Sequence, residues 1–304
     1  MNHKNLPALK KGKKFKLRNE SIWGYLFILL PVLTFTAFTL YPVISAFIIS
    51  FQKFKPLRTI WVGFDNYIAS FKSSLFYKSI INTAVYTGIT IPLSMALSFV
   101  IAILIVPLTK RKQTFFKAAY YLPAIASGVA LSFVWKWIYD PLPSGLLNRL
   151  VSLFGVENQN WLGSSKTSML SLILMALLSS HGTSIIIYIA ALLGIDNTYY
   201  ESAEIDGATF FQKLRYIVLP LVKPTTVFLL ITGVIGSFQV FQNAFLMTGG
   251  GPDNSTTMVG LLIFNNAFTY NDYGRASAQA IILTFIIAIF TFIQFKVTGD
   301  GVEY

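Results

Sequence analysis

The chain has 304 residues and a formal net charge of +12, yet only 12% of its residues are charged and 54% are hydrophobic. Soluble domains carry about 25% charged residues, so this composition excludes an ordinary water-soluble protein. It predicts instead an all-α, polytopic protein whose helices of roughly 20 apolar residues cross a lipid bilayer.

A basic N-terminal tail is predicted over residues 1–22, followed by a membrane domain over residues 23–304. Seven of the 24 Lys and Arg residues lie in the first 20 positions. Such a run can bind nucleic acid, but this one abuts a long apolar segment, which favours a cytoplasmic anchor and no nucleic-acid partner. The apolar segment Trp23–Phe51 is also too long for a cleaved signal peptide.

Six apolar segments are each long enough to span a membrane. They lie near residues 24–51, 81–108, 119–139, 168–193, 225–247 and 276–297. An even number of spans places both termini on one side of the membrane. The charge of the tail predicts that this side is the cytoplasmic side of a bacterial plasma membrane. The loop at 52–80 is also basic although this topology places it outside.

The sequence offers little for catalysis or metal binding. It contains no Cys and two His residues, His3 and His181, which excludes thiolate sites and a histidine cluster. No phosphate-binding G-x-x-x-x-G-K-[ST] motif occurs, so this chain is expected to bind no ATP. We therefore expect a transport protein with no catalytic residues, no bound cofactor and no metal.

Two alternatives are weighed against a subunit of a larger transporter. An ion-coupled secondary transporter of a small polar solute usually carries carboxylates inside its spans, whereas all 12 acidic residues lie outside the span centres. A membrane-embedded enzyme would need clustered His, Asp or Glu residues within a span, and His181 alone qualifies.

The loop at 194–224, between the fourth and fifth segments, carries local folding signals. Asp196 and Asn197 are good N-terminal caps, and Glu201 near the first turn suits the helix dipole. The pair Asp206-Gly207 predicts a turn in which Gly adopts a left-handed conformation.

A second short amphipathic helix is expected over residues 208–216. Pro220 is then expected to force Leu219 away from helical geometry. These signals predict a helix, a sharp turn and a second helix that project from the membrane. On spacing alone, an ordinary interfacial linker explains the loop equally well.

The residues of this loop closely resemble the "EAA" loop of ATP-binding-cassette (ABC) importer permeases. That pattern is Glu-Ala-Ala, three residues, Gly, about nine residues and Ile-x-Leu-Pro, and the one departure is Ser for the first Ala. The matching residues are Glu201, Ser202, Ala203, Asp206, Gly207, Ala208, Leu219 and Pro220. The resemblance implies the six-span type I importer fold and a coupling helix that docks on a separate ATPase, where ATP and Mg are bound.

Other segments resemble the carbohydrate branch of these permeases, related to the maltose and glycerol-phosphate systems. They cover roughly residues 60–260 and are Gly63–Tyr67, Tyr121–Ala124, Trp135–Asp140, Gly145–Asn148 and Met247–Pro252. The resemblance implies a sugar substrate, with an oligosaccharide favoured in this branch. It also implies a second homologous permease, with a heterodimer favoured, two ATPase subunits and an extracytoplasmic solute-binding protein.

Polar residues inside predicted spans are the candidates for a substrate pathway, because they are costly in lipid. A helix–helix hydrogen bond is the competing explanation for each one. Segment five is favoured because it mixes aromatic rings with amides, which together suit the faces and the hydroxyls of a sugar. The candidates are Phe238, Gln239, Phe241, Gln242, Asn243, Ser180, His181 and Asn82.

Overall fold

A computed structural model describes residues 19–55, 58–179 and 182–298. The chain divides into two units, residues 1–48 and 49–304. The first 18 positions of the predicted basic tail lie outside the described residues, and so do the candidates Ser180 and His181.

The N-terminal unit is a single apolar helical span. Helix α1 (Asn19–Phe35) continues through a π-helical turn (Thr36–Leu40) into α2 (Tyr41–Ile49). Residues Trp23–Ile49 together are long and apolar enough to cross a membrane. The side chains along this stretch are exposed, which suits a helix surrounded by lipid.

The second unit begins with a small antiparallel hairpin and is otherwise helical, with π-helical turns at Leu214–Val218 and Asn265–Thr269. Its strands and helices are β1 (Gln52–Lys55), β2 (Arg58–Trp61), α3 (Asp65–Phe71), α4 (Ser74–Ile105), α5 (Lys110–Ile125), α6 (Gly128–Ile138), α7 (Leu146–Ser152), α8 (Ser168–Ser179), α9 (Gly182–Leu193), α10 (Asn197–Ile205), α11 (Phe210–Lys213), α12 (Leu219–Phe238), α13 (Gln242–Met247), α14 (Val259–Phe264) and α15 (Tyr273–Thr298).

Within the described residues, four helices are long and apolar enough to span a membrane, and up to six if each bent helix pair counts as one span. Helices α5 and α6 meet at 97°, and α8 and α9 meet at 45°. The fold class therefore agrees with the all-α, polytopic prediction, but the third and fourth predicted segments are each a bent pair of helices and not one straight helix.

Segment five also differs from its predicted range of 225–247. The helix begins earlier and ends at Phe238, and α13 follows after a break at Gln239–Phe241. Gly260 of α14 allows the backbone at this break to approach closely, because a Cβ on Gly260 would lie 2.9 Å from the carbonyl oxygen of Val240.

The segment Gly63–Tyr67 is bonded to the start of the hairpin. Gly63 has a φ of +58°, which Gly adopts without steric cost. The Asn66 side chain donates to the carbonyls of Ser50 and Gln52 at 2.8 and 2.9 Å, and the Tyr67 hydroxyl pairs with Ser50 Oγ at 2.7 Å. This sequence motif therefore has a structural role in the protein.

A loop between α6 and α8, the hub loop (residues 139–161), is organised around one buried amide. The Asn148 side chain is fully buried, and its oxygen accepts from Trp161 Nε1 at 2.9 Å and from the Gln159 backbone at 3.0 Å. Its nitrogen lies 3.1–3.4 Å from four backbone carbonyls, those of Asp140, Pro141, Leu142 and Gln159. The loop thus satisfies its polar groups internally.

Candidate functional site

The helix–turn–helix segment (residues 196–220) starts with a side-chain cap. Asp196 accepts a hydrogen bond from the Thr198 backbone N–H at 2.9 Å, at the start of α10. This bond lowers the pKa of the Asp196 carboxyl, because it stabilises the charged form. The predicted N-terminal cap is therefore present.

Helix α10 ends in a Schellman motif. The Gly207 N–H donates to the Glu204 carbonyl at 3.0 Å, and the Ala208 N–H donates to the Ala203 carbonyl at 2.8 Å. Gly207 has a φ of +73°, as the Asp-Gly signal predicts, and a side chain there would be strained. The two short helices of the segment are thus joined by a defined turn.

The second helix of the segment is longer than predicted. Residues Phe210–Phe238 form one continuous 29-residue helix that includes the π-helical turn. The prediction that Leu219 leaves helical geometry is wrong, since its φ and ψ are −59° and −44°. Its N–H donates to the Leu214 carbonyl, and this wider π-helical turn keeps the chain helical immediately before Pro220.

One ion pair joins the two helices of the segment. Lys213 Nζ lies 2.9 Å from Glu204 Oε1, and the Glu204 side chain is 66% exposed. Burial raises the pKa of Tyr200, while the Lys213 charge acts in the opposite direction. Tyr200 and Leu214 pack against the buried ends of α4, α9 and α12, so the segment is anchored on the spans.

The outer surface of the segment is apolar. Ile205 is 88% exposed and Phe211 is 77% exposed, and Phe210 contacts Phe211 with ring centroids 5.6 Å apart. The predicted residue Glu201 is also exposed, on α10. An exposed apolar group rimmed by polar side chains is typical of a protein–protein contact.

Most of the remaining predicted residues of the loop are also exposed. Ser202, Asp206, Gly207, Leu219 and Pro220 are exposed, while Ala203 and Ala208 are half-buried at the Schellman turn. The structure therefore brings most of the predicted loop residues onto one exposed segment, although Leu219 and Pro220 belong to the start of the long helix α12.

Two of the cavities among the described helices are lined by polar groups of the predicted spans. The first has a volume of about 350 Å³ and is lined at the α5–α6 bend by Pro123, Ala126 and Gly128, with Ser179 and Asn243 opposite. The second, of about 280 Å³, lies among α4, α9 and α12. Both cavities are lined in part by Ala176 of α8.

The candidates of segment five lie at the break between α12 and α13. Asn243 lines the first cavity and lies beside the Tyr86 side chain. Gln242 lies over Gly128, where a Cβ would approach its side chain to 3.0 Å. Gln239 is exposed immediately after α12.

The two aromatic candidates of this segment pack against different groups of residues. Phe238 is buried and lies 5.3 Å from Phe290 of α15, measured between ring centroids. Phe241 stacks on Phe245 at 5.3 Å and contacts Phe264 at 4.7 Å. The structure does not bring these two rings together around one cavity.

Asn82 has a structural environment. Its side-chain nitrogen donates to the carbonyls of Asn254 and Thr257 at 2.9 and 3.1 Å. These bonds join α4 to the loop before α14, so the Asn82 side chain has partners within this chain.

Sequence reasoning missed a set of hydroxyl groups around the second cavity. Their positions show no distinguishing pattern, because Ser and Thr occur along every span. They are Tyr86, Thr90, Ser94, Ser184 and Ser237.

The sequence matches the family described as "Binding-protein-dependent transport system inner membrane component" over residues 60–297. The arabinooligosaccharides transport system permease protein AraP of Bacillus subtilis is 32% identical over 96% of this chain and 94% of its own length. The multiple sugar-binding transport system permease protein MsmF of Streptococcus mutans is 31% identical over 91% of this chain and 95% of its own.

The fold also matches a chain in the crystal structure of a bacterial ABC transporter involved in the import of the acidic polysaccharide alginate. The TM-score is 0.81 at 23% identity, covering 93% of this chain and 97% of that chain. At this identity, the likeness concerns the fold.

Proposed function

Because this chain belongs to the binding-protein-dependent transport system inner membrane components, we propose that it forms half of a pathway for oligosaccharide uptake, coupled to a separate ATPase through residues 199–220. The chain is a transport subunit and not an enzyme. ATP and Mg are bound by the partner ATPase in this proposal.

The observation that carries the coupling role is the exposed apolar surface on a segment that is fixed at its base. Ile205 and Phe211 face outward, whereas Tyr200 and Leu214 pack on the ends of the spans. Burial of such side chains against a partner is favourable by about 25 cal/mol per Å² of apolar area. A partner docked here would therefore act directly on the spans.

The complete importer in this proposal contains a second homologous permease, two ATPase subunits and an extracytoplasmic solute-binding protein. The family description itself names binding-protein-dependent transport. A related transporter has been crystallised in complex with an alginate pentasaccharide-bound periplasmic protein. A basic N-terminal sequence and an even number of predicted spans support cytoplasmic termini.

An oligosaccharide is the proposed substrate because several relatives are named for such transport. They include the arabinooligosaccharide permease and a trehalose/maltose permease of Thermococcus litoralis, which is 30% identical over 93% of this chain. The two cavities offer hydroxyl, amide and apolar groups, which match the mixed surface of a sugar.

The coupling proposal is tested by Glu201→Lys and Gly207→Asp in the whole importer. We expect both variants to reach the membrane but to lose uptake, because the first reverses a charge on the docking surface and the second strains its turn. The measurements are copurification of the ATPase subunit and transport in proteoliposomes.

Matched controls come from the hub loop. Glu157→Lys reverses an exposed charge there, and Gly155→Asp alters a glycine with a φ of +74° and open space around it. Normal uptake by the Glu201 and Gly207 variants would remove the coupling assignment.

The pathway proposal is tested by Asn243→Ala and Gln242→Ala. Since Asn243 lines the first cavity and Gln242 packs beside it, we expect a change in the rate or selectivity of uptake. Unchanged kinetics in both variants would argue against a site at the α12–α13 break.

A further inference from the structure

The second cavity places hydroxyl groups from three parts of the bundle around one space of about 280 Å³. Tyr86, Thr90 and Ser94 come from successive turns of α4, Ser184 comes from α9 and Ser237 comes from α12. The cavity also borders Gly233 and Gly236 of α12, where no side chain occupies the space.

Two of these polar groups already have hydrogen-bond partners. Ser237 Oγ pairs with Thr87 Oγ1 at 2.9 Å, and Ser94 Oγ donates to the Ile91 carbonyl at 2.9 Å. The Tyr86 side chain lies beside that of Asn243. These bonds hold the wall of the cavity in place.

Thr90 differs from its neighbours. Its side chain is only 6% exposed, and among the described residues none forms a hydrogen bond with its hydroxyl. A buried hydroxyl without a partner is unfavourable, so a ligand or an ordered water is needed to satisfy it.

Other helical threonines of this protein show what Thr90 does not do. Thr83, Thr226 and Thr284 each donate to the backbone carbonyl four residues earlier, at 2.8, 3.0 and 2.9 Å. That bond is the usual way in which a helix satisfies a threonine inside a membrane. The Thr90 hydroxyl has no such partner among the described residues, as is also true of Thr291 on α15, but of the two only Thr90 lines the second cavity.

We propose that Thr90 is a specificity-determining residue of the transport pathway and hydrogen-bonds a hydroxyl group of the carbohydrate in transit. This inference rests on the proposed function and assigns a role to α4 in addition to the break in segment five. The described side chains around the cavity are neutral, which suits an uncharged sugar, since a charge in this setting is costly without a counter-charge.

The test uses the intact importer in proteoliposomes, with its ATPase, second permease and saturating solute-binding protein. The variants are Thr90→Val, which keeps the shape but removes the hydroxyl, and Thr90→Ser, which restores it. Thr232→Val is the matched control, because Thr232 lies on α12 and bonds the Phe228 carbonyl at 2.8 Å. The probes are maltotriose, arabinotriose and their monodeoxy analogues.

We expect Thr90→Val to lower the uptake efficiency of the transported parent sugar by about tenfold, with Thr90→Ser and Thr232→Val near wild type. One monodeoxy analogue should be taken up equally by wild type and Thr90→Val. That analogue lacks the sugar hydroxyl that Thr90 binds, so removing the Thr90 hydroxyl as well has no further effect on its uptake.

Two results would overturn the inference while leaving the transport function intact. One is wild-type uptake of the parent sugar by Thr90→Val, and the other is an equal loss on the parent and on every deoxy analogue, which indicates a structural role. Failure of the wild-type importer to take up either parent sugar would instead overturn the proposed function, and this inference with it.

Discussion

The hub loop and the helix–turn–helix segment both connect apolar helices, yet the two regions are held in place by different kinds of contact. In the hub loop, the buried Asn148 side chain satisfies carbonyl and N–H groups of the same loop. In the helix–turn–helix segment, Ile205 and Phe211 remain exposed. Both regions expose apolar side chains, Phe154 in the hub loop among them, so exposure alone does not mark the partner surface. The helix–turn–helix segment differs in that Tyr200 and Leu214 fix its base on the spans.

The largest expected effect is on binding of the ATPase to the helix–turn–helix segment. Phe211→Asp places a charge on the exposed apolar surface, and we expect it to weaken association with the ATPase by more than about tenfold. Folding should persist because Phe211 is exposed. Copurification and uptake are the measurements.

Phe154→Asp is the control for this variant, since Phe154 is an even more exposed phenylalanine in the hub loop. It should copurify normally with the ATPase. Equal ATPase recovery with Phe211→Asp and wild type would contradict the difference drawn between the two regions.

An intermediate effect on stability tests whether the Asn148 side chain holds the hub loop together. Asn148→Leu leaves the buried indole N–H of Trp161 and several backbone groups without their partner. We expect a loss of about 3 kcal/mol in the free energy of unfolding. Thermal unfolding of the purified protein in detergent measures it.

Asn160→Leu provides the comparison within the same loop. The Asn160 side chain is exposed and accepts from the Gly163 N–H at 2.9 Å. Its replacement should cost much less stability. Similar unfolding temperatures for both variants would show that Asn148 does not organise the loop.

The smallest effect sharpens the description of the helix–turn–helix segment. Asp196→Ala removes the cap of α10, and we expect faster amide hydrogen exchange in its first turn. Because the folded pKa of Asp196 lies below its ordinary value of 3.8, the contribution of the cap is fully present at neutral pH. It should be lost as the pH falls through the folded pKa.

Asp196→Asn separates the hydrogen bond from the charge, since Asn is an equally good cap. Exchange in the first turn of α10 should then stay near the wild-type rate and lose its dependence on acid. Unchanged exchange in Asp196→Ala would show that the cap does not hold this helix.

The sequence predicted the features that depend on local chemistry. The apolar segments, the Asp196 cap and the left-handed Gly207 each follow from residue type and spacing, and the structure contains them. In these cases the neighbouring residues alone decide the conformation.

Features set by packing between distant segments were not predictable in the same way. The bend at Ala126 and Ser127 has no proline at the break, and it brings Gly128 against the side chain of Gln242. Pro220 was expected to interrupt a helix, but the π-helical turn before it keeps the chain helical. Thr90 could not be distinguished from other span threonines without knowing which hydroxyls lack a partner.

The uninterrupted helix from Phe210 to Phe238 has a mechanical consequence. At 1.5 Å per residue its 29 residues form a rod about 43 Å long. Phe210 lies at one end, and Gly233, Gly236 and Ser237 border a cavity near the other. A partner that tilted the first end would therefore act on the cavity wall through one continuous helix, in which the π-helical turn Leu214–Val218 is the place most able to bend.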